Sequence, residues 1–289
     1  MTQTIIVSHA GYRNDMPTFD TFEGNTAVEH RIEPTPISLQ FDTSKRYCVG
    51  WFDLASGESH ACPDSVIVDP KYNQCPACQR RTGFNPAFYH ANSVSEQQEQ
   101  RNREPHYLYL AYFAPGAVKV GISYSGRNHS RLLEQGARAA FVLDTFPTAL
   151  LARQYEAAIS ALDGIVEHLT ARKKRELWSH EYSASEARAT LEASLKIINE
   201  TLDTTFEPEF FDLNPQYFFD TQPDLRAVTN RNDDAMISGT VVGCIGTELI
   251  VDNNDHILSL NLKHFLGYPV EISNSVIPID LPPAQASLF

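Results

Sequence analysis

The residues best suited to chemistry are cysteines. Cys48, Cys62, Cys75 and Cys78 fall within one window of the chain, and Cys244 stands apart. The Cys75-Pro-Ala-Cys78 stretch is a C-x-x-C turn that brings two thiolates to one ion, and Cys48 and Cys62 complete the four sulfurs of a tetrahedral Zn2+. The metal would keep each sulfur ionised by stabilising its charge. Cys48 and Cys62 are not themselves a C-x-x-C pair, and His60, two residues before Cys62, could replace one sulfur. The other readings are a redox C-x-x-C pair, disulfides or unligated thiols. The N-terminal MTQTIIVSHAGYRND is neither basic nor apolar for long enough to be a secretory leader, which disfavours disulfides. A thioredoxin-type pair opens a helix after a strand, whereas QCPACQRRTGFNP reads as a knuckle in a loop. Cys244, in the apolar VVGCIG, is expected to be a buried core thiol.

The elements around these residues predict an α+β chain. Residues 1–95 read as an N-terminal β module carrying the zinc knuckle, with ISLQF, VGWFDL and SVIVD as strands. The polar NSVSEQQEQRNRE follows as a linker or helical connection. From 104 to 202 the order is ββαβαα. HYLYLAYF and VKVGIS form a hairpin across APGA, SGRNHSRLLEQG a short helix and FVLDTF a third strand. In the next helix Leu151, Tyr155, Ile159 and Leu162 share a stripe, and the last helix starts at Ser183 or Ser185 with Glu186 in its first turn. Residues 203–280 are expected to be an extended segment and then a β-barrel-like module, in which DNND makes a hairpin turn rather than a calcium loop. Residues 281–289 form a free tail.

The central block resembles the GIY-YIG nuclease superfamily, from Tyr107 to about Leu162. Tyr107-Leu-Tyr109 stands where the GIY strand would be and Lys119-Val-Gly121 where the YIG strand would be. Arg127 and Arg131 lie on or just before the next helix, and Glu156 lies on the later amphipathic one. Lys119 replaces the second tyrosine, and the glycine and isoleucine of the first strand are absent. The resemblance implies a small sheet with packed helices, a ββαβα core. It also implies metal-dependent phosphodiester cleavage of DNA. Glu156 would hold Mg2+ or Mn2+, Arg131 or Arg127 would clamp the phosphate, and Tyr109 or Tyr107 would position or deprotonate water. Lys119 would touch phosphate as a point charge, and His129, between the arginines, is an alternative base. Taken residue by residue, the tyrosines also suit a half-buried sheet, and Glu156 suits a solvated helix face paired with Arg153. The run Arg172, Lys173, Lys174, Arg175 reads as a solvated helix end or as part of a phosphate-facing strip. As a whole the chain also resembles a bacterial domain family of unassigned function.

The C-terminal Gln285-Ala-Ser-Leu288-Phe289 resembles the bacterial sliding-clamp-binding motif. Leu288 and Phe289 would enter an apolar cleft and Gln285 would hydrogen-bond beside it.

Composition bounds these expectations. The 289 residues are 42% hydrophobic and 20% charged, an ordinary globular balance of two or three domains. No run approaches the roughly 18–20 apolar residues of a membrane span, so a cytoplasmic location without membrane partners is expected. The net charge of -13 means that any contact with nucleic acid must rest on a local basic site. The expected function is therefore a DNA-processing nuclease recruited by the clamp. Two alternatives stand beside it: a non-catalytic nucleic-acid or clamp-binding adaptor on a degenerate nuclease fold, and a zinc-containing protein-interaction scaffold.

Overall fold

The computed structural model of the chain describes residues 4–83, 94–220 and 222–279. It is a mixed α+β structure dominated by three sheets. Among the described residues no helix is long and apolar enough to cross a membrane.

The N-terminal stretch, which the sequence presents only as mixed, is a three-stranded antiparallel sheet of Ile5–Arg13, Met16–Glu23 and Thr26–Arg31. Its first turn places Asn14 and Asp15 at positive φ, the conformation that short polar side chains tolerate best after glycine. Next come two ribbons of two-residue strands, Arg46–Tyr47 with Ile67–Val68 and Trp51–Phe52 with Ser59–His60. Helix α1 (Pro76–Thr82) closes this part and α2 (Glu96–Asn102) follows it.

The central sheet has five strands in the order Ile165–Val166, Ala117–Tyr124, His106–Ala114, Ala139–Phe146, Phe210–Asp212. Alternation along His106–Ala114 sorts its side chains onto two faces. Leu108, Leu110 and Tyr112 pack with Ala152 and Ile159 of α4 (Ala149–Ser160) and with Leu191 and Ile198 of α6 (Ala184–Leu202). Tyr109, Ala111 and Phe113 face Leu132 and Leu133 of α3 (Ser130–Gln135), Leu177 and Trp178 just after α5 (Ala171–Glu176), and Ile245 and Ile250 of the C-terminal sheet. Ser183 caps α6, its hydroxyl accepting the Glu186 N–H at 3.4 Å.

The inward stripe of α4 agrees with the expected one in part: Ile159 is buried and Tyr155 and Leu162 pack against the same core. Ala149, Ala152, Glu156 and Ile159 are buried, whereas Leu151 is 36% exposed. The helix also turns a carboxylate inward and lets two leucines, Leu150 and Leu151, face outward.

The C-terminal module is not a closed barrel. It is an open six-stranded sheet in the order Thr229–Asn230, His256–Asn261, Glu248–Asn253, Met236–Ile245, Pro36–Phe41, Val270–Ser273. The apolar surface that a barrel would enclose is instead buried against the N-terminal sheet, where Val7, Ala10 and Phe19 share one core with Leu249, Val251 and Leu260. Pro36–Phe41 carries the chain from one sheet to the other and pairs between two C-terminal strands. The DNND segment is a hairpin turn, with Asn254 and Asp255 at positive φ.

Candidate functional sites

The first site is local. Cys48, Cys62, Cys75 and Cys78 are all buried, and their sulfurs lie within 4.8 Å of one another, wide enough to relax onto the roughly 3.8 Å edges of a zinc tetrahedron with 2.3 Å bonds. Cys75 caps α1, and its sulfur accepts the Cys78 N–H at 3.5 Å. The Cys75 N–H in turn points at the Cys48 sulfur at 3.2 Å. The C-x-x-C turn therefore opens a short helix and is not a simple loop, because Pro76 at its first position needs no N–H partner there. Burial raises the Cys75 thiol, but the hydrogen bonds donated from Cys78, Cys48 and Ala77 outweigh it and bring the thiol down to about 7. Burial pushes the Cys48 and Cys78 thiols up. Four soft donors converging in one buried place suit Zn2+, and the four cysteines can hold one such ion. His60 is not in the set; its ring stacks on Trp51 at 4.1 Å. Cys244 is a buried free thiol apart from the cluster.

The second site is assembled from distant parts of the chain. Tyr109 lies directly across from Gly121, and a Cβ at Gly121 would come within 2.4 Å of the Tyr109 hydroxyl. Glycine is needed there because the phenol ring crosses the neighbouring strand. The Tyr109 hydroxyl accepts a hydrogen bond from Gln135 Nε2 at 2.5 Å, and Arg131, four residues earlier on α3, acts on the same hydroxyl. Burial pushes this phenol above its ordinary range, with Arg131 and Gln135 opposing. Lys119 is buried with its ammonium 5.7 Å from the Tyr109 ring centre. Burial lowers it to about 8, against the pull of Glu156 and with the help of Arg131.

Glu156 is only 3% exposed, so it is not the solvated helix residue that its surroundings in sequence suggest. Arg153 bonds Glu156 through one nitrogen and Glu167 through the other, the latter at 2.5 Å. Burial still leaves the Glu156 carboxyl raised, with Arg153 opposing. Mg2+ or Mn2+ does not fit this arrangement. Glu156 is already engaged by Arg153 and faces Lys119, and the four thiols are the one metal-competent group of three or more ligands among the described residues.

The structure thus brings Tyr109, Lys119, Arg131 and Glu156 together and leaves the other expected residues aside. Arg127 pairs with Glu134 at 2.5 Å. The His129 ring packs on Phe211 at 4.3 Å. Tyr107 is half-buried, opposite Ser123 and Thr145. The basic run divides: Arg172 and Lys173 face outward to Glu176, Arg175 meets the buried Glu248 at 3.6 Å, and Lys174 turns inward. Gln135, Glu167 and the inward turn of Lys174 are not evident in the sequence. The i, i+4 spacing of Arg131 and Gln135 was the one available signal, since it puts both on one helix face.

Charge is distributed to match. From His106 to His180 there are nine Lys and Arg against six Asp and Glu, whereas Glu181 to Asp234 holds twelve acidic and four basic residues. The net negative charge that seems to exclude a phosphate partner is therefore concentrated on α6 and the segment after it, not in the stretch of chain that holds Lys119. Gln285, Leu288 and Phe289, the expected clamp-binding residues, lie outside the described residues.

No curated protein and no solved structure matches the chain. A family model matches residues 71–270, a span that takes in every residue of the second site and that includes Cys75 and Cys78 but not Cys48 or Cys62. The chain belongs to that family, described as a protein of unknown function (DUF2797).

Proposed function

We propose that this chain processes nucleic acid, cleaving phosphodiester bonds at the site of Tyr109, Lys119, Arg131 and Glu156. The observation that carries this reading is the convergence of these four residues from two strands and two helices onto one place in an otherwise acidic chain. Arg131, with a side chain 39% exposed, can present its fork to the non-bridging oxygens of a phosphate. Tyr109 is a poor base because burial holds its proton on, so it orients and does not deprotonate. Lys119, lowered by burial to about 8, still holds most of its charge at physiological pH and would meet a phosphate oxygen as a point charge. Glu156 and Arg153 fix the charge around that lysine.

In the same reading the four cysteines hold a structural zinc that ties the short ribbons to α1, and the C-terminal Gln285, Leu288 and Phe289 dock on a sliding clamp.

The test is incubation of single-stranded, duplex and branched DNA with wild type, Lys119→Met and Glu156→Gln, in buffer containing Mg2+ or Mn2+ and in buffer free of both. Cutting by wild type that both substitutions abolish supports the reading, and the metal-free arm shows whether the ion is required. Equal cutting by all three proteins overturns it. The ion pair of Glu156 with Arg153 favours a second reading, a non-catalytic nucleic-acid adaptor. Salt-sensitive DNA binding without cutting would select that one.

A further inference from the structure

Lys174 belongs to α5, outside the ββαβα block, yet it reaches the same site. Its ammonium donates to the Gln135 carbonyl at 2.7 Å and sits 4.8 Å from the centre of the Phe113 ring. The side chain of that same Gln135 holds the Tyr109 hydroxyl. On the neighbouring strand Lys119 pairs with Ala111, midway between Tyr109 and Phe113 on the same sheet face, so two ammonium groups approach one another over that face.

The charges acting on Lys174 are Lys119, Arg131 and Lys263, and all are positive. Among the described residues neither Lys119 nor Lys174 makes an ion pair within 4.0 Å. Burial and these neighbours bring Lys174 down to about 7. Arg131 has Glu134 at 3.8 Å, but the two lysines are held at the edge of a core with no carboxylate in contact, and an anion would relieve them.

We propose that Lys119, Arg131 and Lys174 form a receptor for one phosphate group, and that Lys174 completes it from outside the nuclease-like block. This rests on the nucleic-acid reading above only for the source of the phosphate, since a free phosphate or a mononucleotide carries the same chemistry. Three oxygens of a phosphate can meet two ammonium groups and a guanidinium at once, each contact charge-assisted. Binding restores protons to the lysines, so at pH 8 it is accompanied by proton uptake. The groups facing Lys174 are Lys119, Arg131 and Lys263, and those facing Lys119 include Glu156, Glu167, Arg131 and Arg153.

The experiment is calorimetric titration of the full chain with inorganic phosphate, a nucleoside monophosphate and a short single-stranded oligonucleotide, in two buffers of different ionisation enthalpy at pH 8. The variants are Lys174→Gln, Lys174→Met, which keeps an apolar stem over Phe113, and Lys196→Gln as a control on exposed α6. Wild type is expected to bind with proton uptake, both Lys174 variants to bind at least about tenfold more weakly, and the control to bind unchanged. Binding of the oligonucleotide alone assigns the phosphate to nucleic acid, and binding of all three ligands assigns the receptor to phosphate in general. No binding by wild type, or full-strength binding by a folded Lys174 variant, overturns the proposal. Phosphate binding by wild type that the Lys174 variants lose, in a chain that never cuts DNA, keeps the receptor and removes the nuclease. Cutting by wild type with unaltered binding in Lys174→Met does the reverse.

Discussion

The two sites of this chain are built in opposite ways. The four cysteines lie within thirty-one residues, and one C-x-x-C turn with two short ribbons brings them together. The cationic site takes Tyr109 and Lys119 from adjacent strands, Arg131 and Gln135 from α3, Glu156 from α4 and Lys174 from α5. The first is set by chain spacing and ligand chemistry. The second exists only once the central sheet has α4 and α6 on one face, and α3, the end of α5 and the C-terminal sheet on the other. A local cluster should therefore fail locally when it is damaged, and an assembled one should respond to changes in packing.

The largest effect is expected at the cysteines. Cys75→Ser removes one ligand and also the sulfur that caps α1. Zinc content is expected to fall from one equivalent to near zero by elemental analysis, and the ribbons should lose protection in hydrogen exchange while the central sheet keeps it. Structural zinc carries on the order of 10 kcal/mol of folding free energy in small modules, so a partial loss of structure is the minimum expected. Unchanged metal content would sink the zinc assignment. Protection lost throughout the chain would show that the site is not local.

Gly121→Ala probes the assembled site. Its Cβ would meet the Tyr109 hydroxyl and ring at 2.4–2.5 Å, with the phenol fixed by Gln135, so the ring must move. Overpacking of this kind costs about 1–3 kcal/mol. The unfolding free energy from urea titration should fall by that amount, and phosphate binding should weaken with it while zinc is retained. A variant as stable as wild type would mean that Tyr109 is not held where the structure puts it.

This contrast also explains what could be read from the sequence. The hairpin, the order ββαβα up to α4, the Ser183 cap and the four-thiol set follow from turn chemistry, alternation and ligand count, all of which act over short distances, whereas the short strand Ile165–Val166 and α5 before α6 were not foreseen. The open C-terminal sheet was not legible, because its fifth strand, Pro36–Phe41, comes from two hundred residues away. On α4 the stripe of Tyr155, Ile159 and Leu162 was legible, but the burial of Glu156 and the exposure of Leu151 were missed for a related reason. Leucine burial is the default expectation for an amphipathic helix, and only the cations Arg153 and Lys119 make burial of Glu156 tolerable. The N-terminal sheet was hidden by mixed residue types that pair well but alternate poorly.

Acid–base behaviour sharpens the comparison further. Lys174 near 7 and Lys119 near 8 both lie below the ordinary lysine value of 10.5. Between those values the unfolded chain binds more protons than the folded one, so stability rises with pH through the window and the full penalty applies below it. Urea midpoints of the zinc-loaded protein from pH 6.5 to 9 should climb, and Lys174→Met should flatten that climb. An equal slope in both proteins would mean that the Lys174 ammonium is better solvated than its position beside Phe113 implies. Bound phosphate should reduce the slope in wild type, because it supplies the missing counter-charge.

The smallest effect separates neighbours. Lys173 and Lys174 are adjacent in the basic run, but Lys173 is 55% exposed and pairs with Glu176, while Lys174 turns toward Gln135. An exposed pair of this kind contributes little, so Lys173→Gln should shift the melting midpoint by no more than about 1–2 °C. It should change phosphate affinity less than about twofold at 0.15 M salt, where screening acts over about 8 Å. Lys174→Gln removes a charge at similar sequence position and similar cost to net charge, so only its placement distinguishes it. If both variants weaken phosphate binding equally, the attraction comes from the diffuse field of the whole run and the discrete receptor is wrong. If only Lys174→Gln does, adjacent residues of one short helix have been assigned to solvent and to the site by the packing around them.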